Sequence, residues 1–447
     1  MNLRRWLQPG IGVKRWLLVV FGGLLLMALG VAHTIRQVTR DLQPGGLTEL
    51  VLDTITLQFL PFPLRGLVVG TIGLVVVGFG AWRLARALTE PLRADDGERP
   101  LADVIFQKRM LARGPRVVAI GGGTGLSTLL RGMKEHTSNL TAIVTVADDG
   151  GSSGALREEL GIPPVGDIRA CIAALADAEP LMAELLGYRF PGGIRPLDGP
   201  VETEPGGLGG HAMGNLLLAA LTALEGGDFE EGVRRMNHVL AVRGKVMPAS
   251  ATPITLMART DDGVVVRGQS TVTRTPEIRK VWIDPPTVPA SPDALAAIRE
   301  ADIVVLGPGS LYTSVLPVLL IPAIREAVAA SPGMRIYVCN VATQLGETEG
   351  YDAADHVEAL LAHTAPGIVD LVLVNDRFEG EPSEWPADAV ALRWPPAAEP
   401  VPRLLTDTIA SDEQPHHHDS TRLAAAILRA YEREAQGLRR DRVARTA

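Results

Sequence analysis

The chain contains two kinds of hydrophobic pattern. Residues 16–32 and 66–82 contain no charged side chain, and each stretch is at the short end of the roughly 17–25 residues that an apolar helix needs to cross a bilayer. From about residue 115 onward, short runs of Val, Ile, Leu and Ala alternate with helix-like stretches and glycine-rich turns. Short apolar runs bounded by turn residues are typical of buried strands. The pattern therefore predicts a two-helix membrane hairpin followed by an α/β domain.

The first strand candidate, residues 117–120, leads into a glycine loop, a helix-like stretch at 126–133 and another apolar run at 140–147. This order predicts a βαβ unit, and hence a Rossmann-like, mostly parallel sheet with helices on both faces. Further strand candidates are 303–306, 336–338 and 369–374, and further helical segments are about 313–330, 353–364 and 421–436.

Three other segments of the domain have distinct patterns. Residues 254–274 alternate around the turn Asp261-Asp262-Gly263 and predict an antiparallel hairpin. Pro317 and Pro322 should confine or kink the helical segment in which they lie. Residues 375–420 are rich in Pro and Glu and show little periodicity, so no element is predicted there.

The two uncharged stretches have alternative explanations. A cleaved signal peptide would also have a basic start and an apolar core, but no small-residue cleavage site follows and a second stretch does. A buried core hairpin is the other alternative, and it is disfavoured because neither stretch shows a polar face. Basic residues before the first stretch and after the second place both termini and the large domain on the cytoplasmic side. The predicted organisation is a hairpin over 1–86, a linker over 87–114 and a nucleotide-binding domain over 115–447, in an inner-membrane, multi-pass protein.

Composition and charge exclude or disfavour several classes of protein. The 447 residues include 43 Lys+Arg and 51 Asp+Glu, and 46% are hydrophobic, which excludes a disordered chain. The acidic balance and the aromatic content of 4% disfavour a nucleic-acid partner. The acidity is confined to the domain, because residues 1–115 carry 14 basic and 8 acidic side chains. Two distant cysteines exclude a disulfide framework and fit a reducing compartment.

Two glycine loops follow predicted strands, at the edge of a parallel sheet where ligands bind. Glycine lets backbone N–H groups approach a phosphate, and the next helix adds its positive end. The sixth position of the dinucleotide fingerprint G-x-G-x-x-G is Leu126 in the first loop, and no Gly-Lys-Ser/Thr follows, so neither common motif is present. A merely tight turn is the alternative. The phosphate-binding candidates are Gly121, Gly122, Gly123, Thr124 and Gly125 in one loop and Gly307, Gly309 and Ser310 in the other.

Polar residues follow the second predicted strand. Asp148 and Asp149 could accept hydrogen bonds from sugar hydroxyls or lie near a divalent ion. Ser152 and Ser153 could donate hydrogen bonds to an anion. The alternative is a solvated loop, although two adjacent acids after an apolar run need partners.

The remaining candidates precede or follow helices. Asp167 could orient a hydroxyl nucleophile or a metal and is the candidate catalytic residue, and Arg169 could clamp a phosphate. A helix cap with a salt bridge explains that pair equally well. Asn215 could recognise the edge of a nucleobase, and His211 could do so or cap the helix that Gly214 enters. A close-packed helix entry is the alternative there. Asn340 is expected at the same edge of the sheet.

These motifs together resemble the CofD/YvcK-like family. The resemblance rests on residues 118–127, 148–154, 166–169, 214–215, 306–314 and 339–348, and it is stronger for the YvcK type, the gluconeogenesis factors. It implies a Rossmann-like domain that binds a nucleotide diphosphate. The YvcK branch is associated with UDP-sugar binding, cell shape and growth on gluconeogenic carbon. In the CofD branch, a phospholactyl group passes from a guanylyl donor to a deazaflavin, and Asp167 matches an Asp near that acceptor. A membrane hairpin departs from the usual soluble pattern.

Two hypotheses follow from the resemblance and the residues. The first is a membrane-tethered, UDP-sugar-binding regulator of envelope synthesis and carbon flux. It would act as a homo-oligomer with an envelope-synthesis protein as partner. The second is a 2-phospho-L-lactate transferase-type enzyme in which Asp167 orients the acceptor and Mg²⁺ stabilises the diphosphate leaving group. Whether any reaction is catalysed stays open at this point.

Overall fold

Short strands build two sheets in the part of the chain that a computed structural model describes. Those residues are 101–177, 179–191, 207–377 and 388–446, with Phe21, Leu24, Leu25, Ala28 and Pro61. The strands are β1 (Val117–Gly121), β2 (Leu140–Val144), β3 (Lys245–Pro248), β4 (Thr255–Thr260), β5 (Val265–Arg267), β6 (Ile278–Asp284), β7 (Ile303–Leu306), β8 (Met334–Val338), β9 (Leu371–Asn375) and β10 (Arg403–Asp407).

Seven of these strands form one sheet in the order β10–β9–β8–β7–β1–β2–β3, and every neighbouring pair is parallel. This is the dinucleotide-binding strand order with one strand added at an edge. The chain leaves β1 in one direction for β2 and β3 and later returns on its other side to β7. The topological switch point therefore lies between the carboxyl ends of β1 and β7.

The apolar runs that predict these strands are buried on both faces. All five residues of β1 are buried, with Val118 and Ile120 in one core cluster and Val117 and Ala119 in the other. The four residues of β7 divide between the same two clusters. Because each face of the sheet has its own hydrophobic core, neither strand has a polar side, which explains why both read as continuous hydrophobic segments.

Helices cover both faces of the sheet. The helices of the described residues are α1 (Leu101–Leu111), α2 (Gly123–Met133), α3 (Gly151–Leu160), α4 (Gly166–Leu175), α5 (Glu179–Gly187), α6 (Met213–Leu224), α7 (Phe229–Val239), α8 (Gln269–Val272), α9 (Pro292–Glu300), α10 (Leu316–Leu319), α11 (Pro322–Ala329), α12 (Ala353–His363) and α13 (Ser420–Thr446). The Rossmann-like α/β domain predicted from the sequence is thus confirmed. Its sheet is wholly parallel.

Several local predictions need correction. The Gly/Ser run after β2 forms the first turn of α3, where the pattern indicates a loop. β3 and β10 were missed because each lies at an edge of the sheet and contains exposed polar residues, which removes the apolar run. The helical segment around Pro322 is a π-helical turn, Leu311–Val315, followed by α10 and α11, and its bend of 83° before Pro322 confirms the predicted kink.

The chain divides into two compact units, Met1–Met110 and Leu111–Ala447. Only four positions of the predicted span 16–32 are among the described residues, and the predicted span 66–82 lies outside them. Both membrane spans therefore stay a prediction. Among the residues that are described, no single helix is long and apolar enough to cross a membrane, while one bent pair, Leu311–Leu319 with Pro322–Ala329, passes by length and composition. Helix α1 occupies the end of the predicted linker.

The predicted hairpin is present as β4 and β5, and β6 joins them as a third antiparallel strand that was not predicted. Leu256, Ala258, Val281 and Ile283 point from this small sheet into one of the core clusters. The small sheet therefore has one buried face and one face open to solvent.

His363 connects the small sheet to α12. Its Nδ1 lies 2.7 Å from the carbonyl oxygen of Ala359, and its Nε2 accepts the N–H of Val281 on β6 at 3.0 Å. This pairing requires the neutral ring with its proton on Nδ1. Burial lowers the pKa of His363, and the charge of Lys280 lowers it further.

Acid should weaken this connection. Because the pKa of His363 in the folded protein lies below the unfolded value of about 6.5, the neutral ring stabilises the fold above that pH and the contribution is lost as the pH falls below it. We expect the wild-type free energy of unfolding to drop from about pH 7.5 to about pH 5.5 by roughly 1 kcal/mol more than that of His363→Gln in urea titrations. The exposed His238→Gln is the control and should follow the wild type. Equal pH dependence in wild type and His363→Gln would contradict this role.

Candidate functional site

The two glycine loops meet at the switch point between β1 and β7. The Gly307 N–H donates to the carbonyl oxygen of Ile120 at 2.8 Å. A methyl group at Gly125 would lie 2.7 Å from the Pro308 carbonyl oxygen and 2.9 Å from the Gly309 Cα. The loops pack backbone against backbone, and only glycine fits at this contact. The structure therefore brings together the two sets of phosphate-binding candidates, with Thr124 exposed in the first turn of α2.

Asp167 lies against the first glycine loop from the first turn of α4. A methyl group at Gly122 would collide with its carboxylate and with the Thr145 side chain, and the Gly123 N–H donates to the same carboxylate. Asp167 keeps part of its surface accessible but lies in a crevice crowded with protein atoms. This burial, with the charge of Asp148, raises the pKa of Asp167 to about 7. The carboxyl group can therefore hold or release a proton near neutral pH.

Asp148 and Ser153 stand beside the start of α4. Ser153 Oγ accepts the N–H groups of Val165 at 3.0 Å and Gly166 at 2.8 Å, which are otherwise unpaired at a helix start. The Ser153 hydroxyl donates to Asp148, which also accepts the Gly150 N–H at 3.0 Å. Burial raises the pKa of Asp148 above its usual range. Ser153 thus serves the fold, while Asp148 stays half-exposed at the crevice.

Asp149 is directed away from Asp148, toward the small sheet. Its carboxylate accepts the Ser270 N–H at 2.8 Å, at the start of α8. Arg157 on α3 reinforces this connection by donating to the Ile254 carbonyl oxygen at 2.9 Å and to Thr255 Oγ1 at 3.1 Å. Of the two acids predicted near a sugar or metal, Asp148 faces the crevice and Asp149 joins the two sheets.

Ser152, His211 and Asn215 form a buried hydrogen-bonded cluster. Ser152 Oγ accepts the Asn215 amide N–H at 2.9 Å and lies 3.2 Å from His211 Nδ1. These contacts tie the first turn of α3 to the start of α6. Asn215 is 2% exposed, and its Oδ1 has no hydrogen-bond partner among the described residues. That orphaned acceptor can take a hydrogen bond from a donor on a ligand.

Arg169 is positioned by a glycine but held by no acid. Its Cγ and Cδ would lie 2.8 and 2.9 Å from a methyl group at Gly214, so the arginine stem packs on the backbone of α6. Within the described part of the chain, no hydrogen bond or salt bridge fixes its guanidinium. Burial lowers the pKa of Arg169, and the nearby positive charge of Arg189 lowers it further. Two guanidinium groups close to each other favour an anion between them. Arg189 was not predicted as a site residue, because only the fold brings it to Arg169.

The second glycine loop is braced by the segment after β8. Gln344 Nε2 donates to Ser310 Oγ at 2.8 Å, and Asn340 Nδ2 donates to Gln344 Oε1 at 3.4 Å. Glu347 accepts from Thr313 Oγ1 at 2.7 Å in the π-helical turn that follows the loop. Burial raises the pKa of Glu347 to about 7. Gln344 and Glu347 belong to a motif that carries the family resemblance, yet their side chains had no predicted role.

The structure does not complete a metal site. The charge of Asp148 contributes to the raised pKa of Asp167, but no group of three His, Cys, Asp or Glu side chains that could hold a metal occurs among the residues described. No catalytic step through Mg²⁺ is therefore derived from these residues.

A separate cavity of about 740 Å³ lies at the opposite, amino edge of the sheet. Its charged lining is largely paired, as in Arg335 with Asp370 and Arg116 with Asp302. The glycine loops contribute nothing to this cavity, so the candidate site is the crevice at the carboxyl edge.

The family model for 2-phospho-L-lactate transferase CofD matches residues 117–390. The chain belongs to the CofD family. The match begins at the first residue of β1 and contains both glycine loops, Asp148, Asp167 and Arg169. The crevice at the switch point is thus the part of this chain that lies within the CofD-family region.

Relatives of this chain match it over different lengths. The gluconeogenesis factor of Bacillus subtilis is 50% identical over 262 residues, which are 58% of this chain and 78% of that protein. A protein from Nostoc sp. in the same gluconeogenesis-factor group is 46% identical over 378 residues, 83% of this chain and 79% of its own length. The second alignment is longer than the unit Leu111–Ala447 and so extends into the N-terminal part.

A crystal structure of a UPF0052-family protein from Bacillus halodurans matches with a TM-score of 0.61 and 43% identity. The match covers 71% of this chain and 99% of that protein. That protein therefore consists almost entirely of the matched region.

Gly125→Ala should force the two glycine loops apart. The added methyl group meets backbone atoms that cannot rotate away, so we expect a loss of roughly 1–3 kcal/mol in the free energy of unfolding. Urea denaturation measures this. Gly187→Ala is the matched control, because a methyl group there has no neighbour within 4 Å. Wild-type stability in Gly125→Ala would show that the loops do not pack as described.

Asp167→Asn should stabilise the fold increasingly as the pH rises. The pKa of Asp167 is raised from 3.8 to about 7 in the folded protein, so ionisation costs stability, and this cost grows between those two pH values and is constant above them. We expect the variant to match the wild type near pH 4 and to exceed it by roughly 1–3 kcal/mol near pH 8. Glu326→Gln, on the exposed side of α11, is the control. A difference that does not depend on pH would contradict the raised pKa.

Proposed function

We propose that the crevice between β1 and β7 binds the diphosphate of a nucleotide sugar, with UDP-sugars as the preferred class. The direct packing of the two glycine loops carries this proposal. Each loop ends a parallel strand and precedes a helical segment, so backbone N–H groups and helix dipoles from both converge on one place. Two such loops suit two linked phosphates better than one.

The surrounding side chains fit the other parts of such a ligand. The unpaired Asn215 Oδ1 suits an N–H donor of a nucleobase. Asp148 and Asp167 suit sugar hydroxyls, which donate to carboxylates. Arg169 and Arg189 add positive charge that no acid cancels by a salt bridge among the described residues, and it balances the negative charge of phosphates.

In this proposal the protein is a regulator that couples envelope synthesis and cell shape to carbon flux. The relatives named gluconeogenesis factor support the carbon-flux part. The uncharged stretches at 16–32 and 66–82 support an inner-membrane hairpin with cytoplasmic termini, where a sensor of wall precursors would lie beside the proteins that consume them. A homo-oligomer that contacts an envelope-synthesis protein completes the proposal.

Thermal unfolding of residues 111–447 tests the ligand class. The panel contains UDP-sugars, UDP, GDP and a deazaflavin, each with and without Mg²⁺. A UDP-sugar at about 100 times its dissociation constant should stabilise the protein by roughly 2.7 kcal/mol. Arg169→Ala should reduce this shift, and Arg299→Ala at the opposite edge should leave it unchanged.

The same panel can overturn the proposal. Stabilisation by GDP together with the deazaflavin, followed by turnover of a guanylyl donor that Asp167→Asn abolishes, would make the protein a phospholactate-type transferase. No response to any uridine ligand would remove UDP-sugars as the class.

A further inference from the structure

The solvent-facing side of the small sheet carries an ordered set of basic and apolar side chains. Residues directly opposite each other in antiparallel strands share a face, and the register places six of them in two rows. One row is Val265, Arg259 and Lys280, and the other is Arg267, Met257 and Trp282. We call these six residues the basic sheet face.

The positive charges of this face are not compensated. Arg259 and Lys280 lie directly opposite each other, an arrangement that is destabilising for like charges. No salt bridge or hydrogen bond to the side chains of Arg259, Arg267 or Lys280 occurs within the described ranges, and all three residues are exposed. The Arg259 guanidinium lies 5.6 Å from the centre of the Trp282 ring, which confirms that both point to the same side.

The positive charge of this face affects the pKa values of two neighbouring groups. Burial is the main cause of the lowered pKa values of His363 and Arg157, and Lys280 and Arg267 respectively lower them further. The face is an exception in its surroundings, because residues 116–447 carry 29 basic and 43 acidic side chains. A local basic surface that costs stability on an acidic domain points to a partner that supplies the missing negative charge.

We propose that the basic sheet face docks an acidic protein segment that also carries apolar side chains. Acidic groups would pair with Arg259, Arg267 and Lys280, and the apolar side chains would pack on Met257, Val265 and the Trp282 ring between them. Surfaces that combine Arg, Trp and Met are typical of protein interfaces. The segment would lie across the three strands.

A flat anionic bilayer fits this face less well. The turn between β4 and β5 places the exposed carboxylates of Asp261 and Asp262 at one end of the sheet, and Asp284 lies at the other end, opposite Thr255. A planar negative surface would meet these groups together with the acidic domain around them. A narrow segment can contact the basic rows and avoid both ends.

The face is also connected to the candidate site. β5 is followed directly by α8, whose Ser270 N–H donates to Asp149 in the loop after β2. A segment docked on β5 would therefore be connected to the crevice through α8 and then through Asp149, the residue next to Asp148.

Fluorescence anisotropy on residues 111–447 tests docking. These residues form a compact unit, and a solved relative that matches over 99% of its own length supports folding of such a unit by itself. The probe is a labelled peptide of alternating Glu and Leu, with its Gln-for-Glu counterpart and phosphatidylcholine–phosphatidylglycerol vesicles as comparisons. The Glu peptide should bind, more tightly at low salt, and the triple variant Arg259→Ala, Arg267→Ala, Lys280→Ala should bind it at least ~10-fold more weakly. The control triple Arg113→Ala, Arg299→Ala, Arg325→Ala should bind as the wild type does.

Stability supplies an independent readout. Lys280→Gln should raise the melting temperature, because it removes the repulsion from Arg259, while it weakens peptide binding. Three results would overturn the proposal: equal binding of the Gln peptide, unchanged binding by the first triple variant, or binding of vesicles in preference to the peptide.

Discussion

The contact of two glycine backbones at the carboxyl ends of β1 and β7 is the constraint on which the site depends. Any side chain at Gly125 would meet Pro308 and Gly309, so the two loops can approach only because both lack Cβ atoms there. This approach sets the distance between the starts of α2 and the π-helical turn that follows the second loop. It also leaves Asp167 pressed against Gly122. The crevice therefore owes its shape to the absence of side chains at these glycines.

Around that contact, buried serines hold the helices in place. Ser152 joins α3 to α6 and Ser153 joins α3 to α4, each by accepting or sharing hydrogen bonds at a helix start. Because these hydroxyls satisfy the fold, the polar groups left for a ligand are few: Asp148, Asp167, Arg169, Arg189 and Asn215 Oδ1. The pKa values of Asp148 and Asp167 are both raised, so ionising either carboxyl group in this crevice costs stability. Such a cost is typical of functional sites.

The fold is predictable from the sequence where burial is complete. β1 and β7 are apolar on both faces, so each appears as a continuous apolar run, and the glycine loops after them place the crevice. β3 and β10 were not predicted, because exposed edges dilute the apolar pattern. Residue types at Ser152 and Asp149 predict ligand binding, and their contacts with the start of α6 and with the small sheet could not be predicted because they are tertiary. Arg189 carries no local signal, because its meeting with Arg169 depends on how α4, α5 and α6 pack.

The small sheet has a consequence for how this family can diversify. Its three strands lie in sequence between β3 and β7, inside one crossover of the parallel sheet, and only one of its faces contributes to the core. Substitutions on the outer side therefore leave the strand order and the glycine contact intact. The solvent-facing residues of the small sheet can therefore change in one lineage and not in another. Proteins with the same crevice can in this way bind different partners without a change of fold.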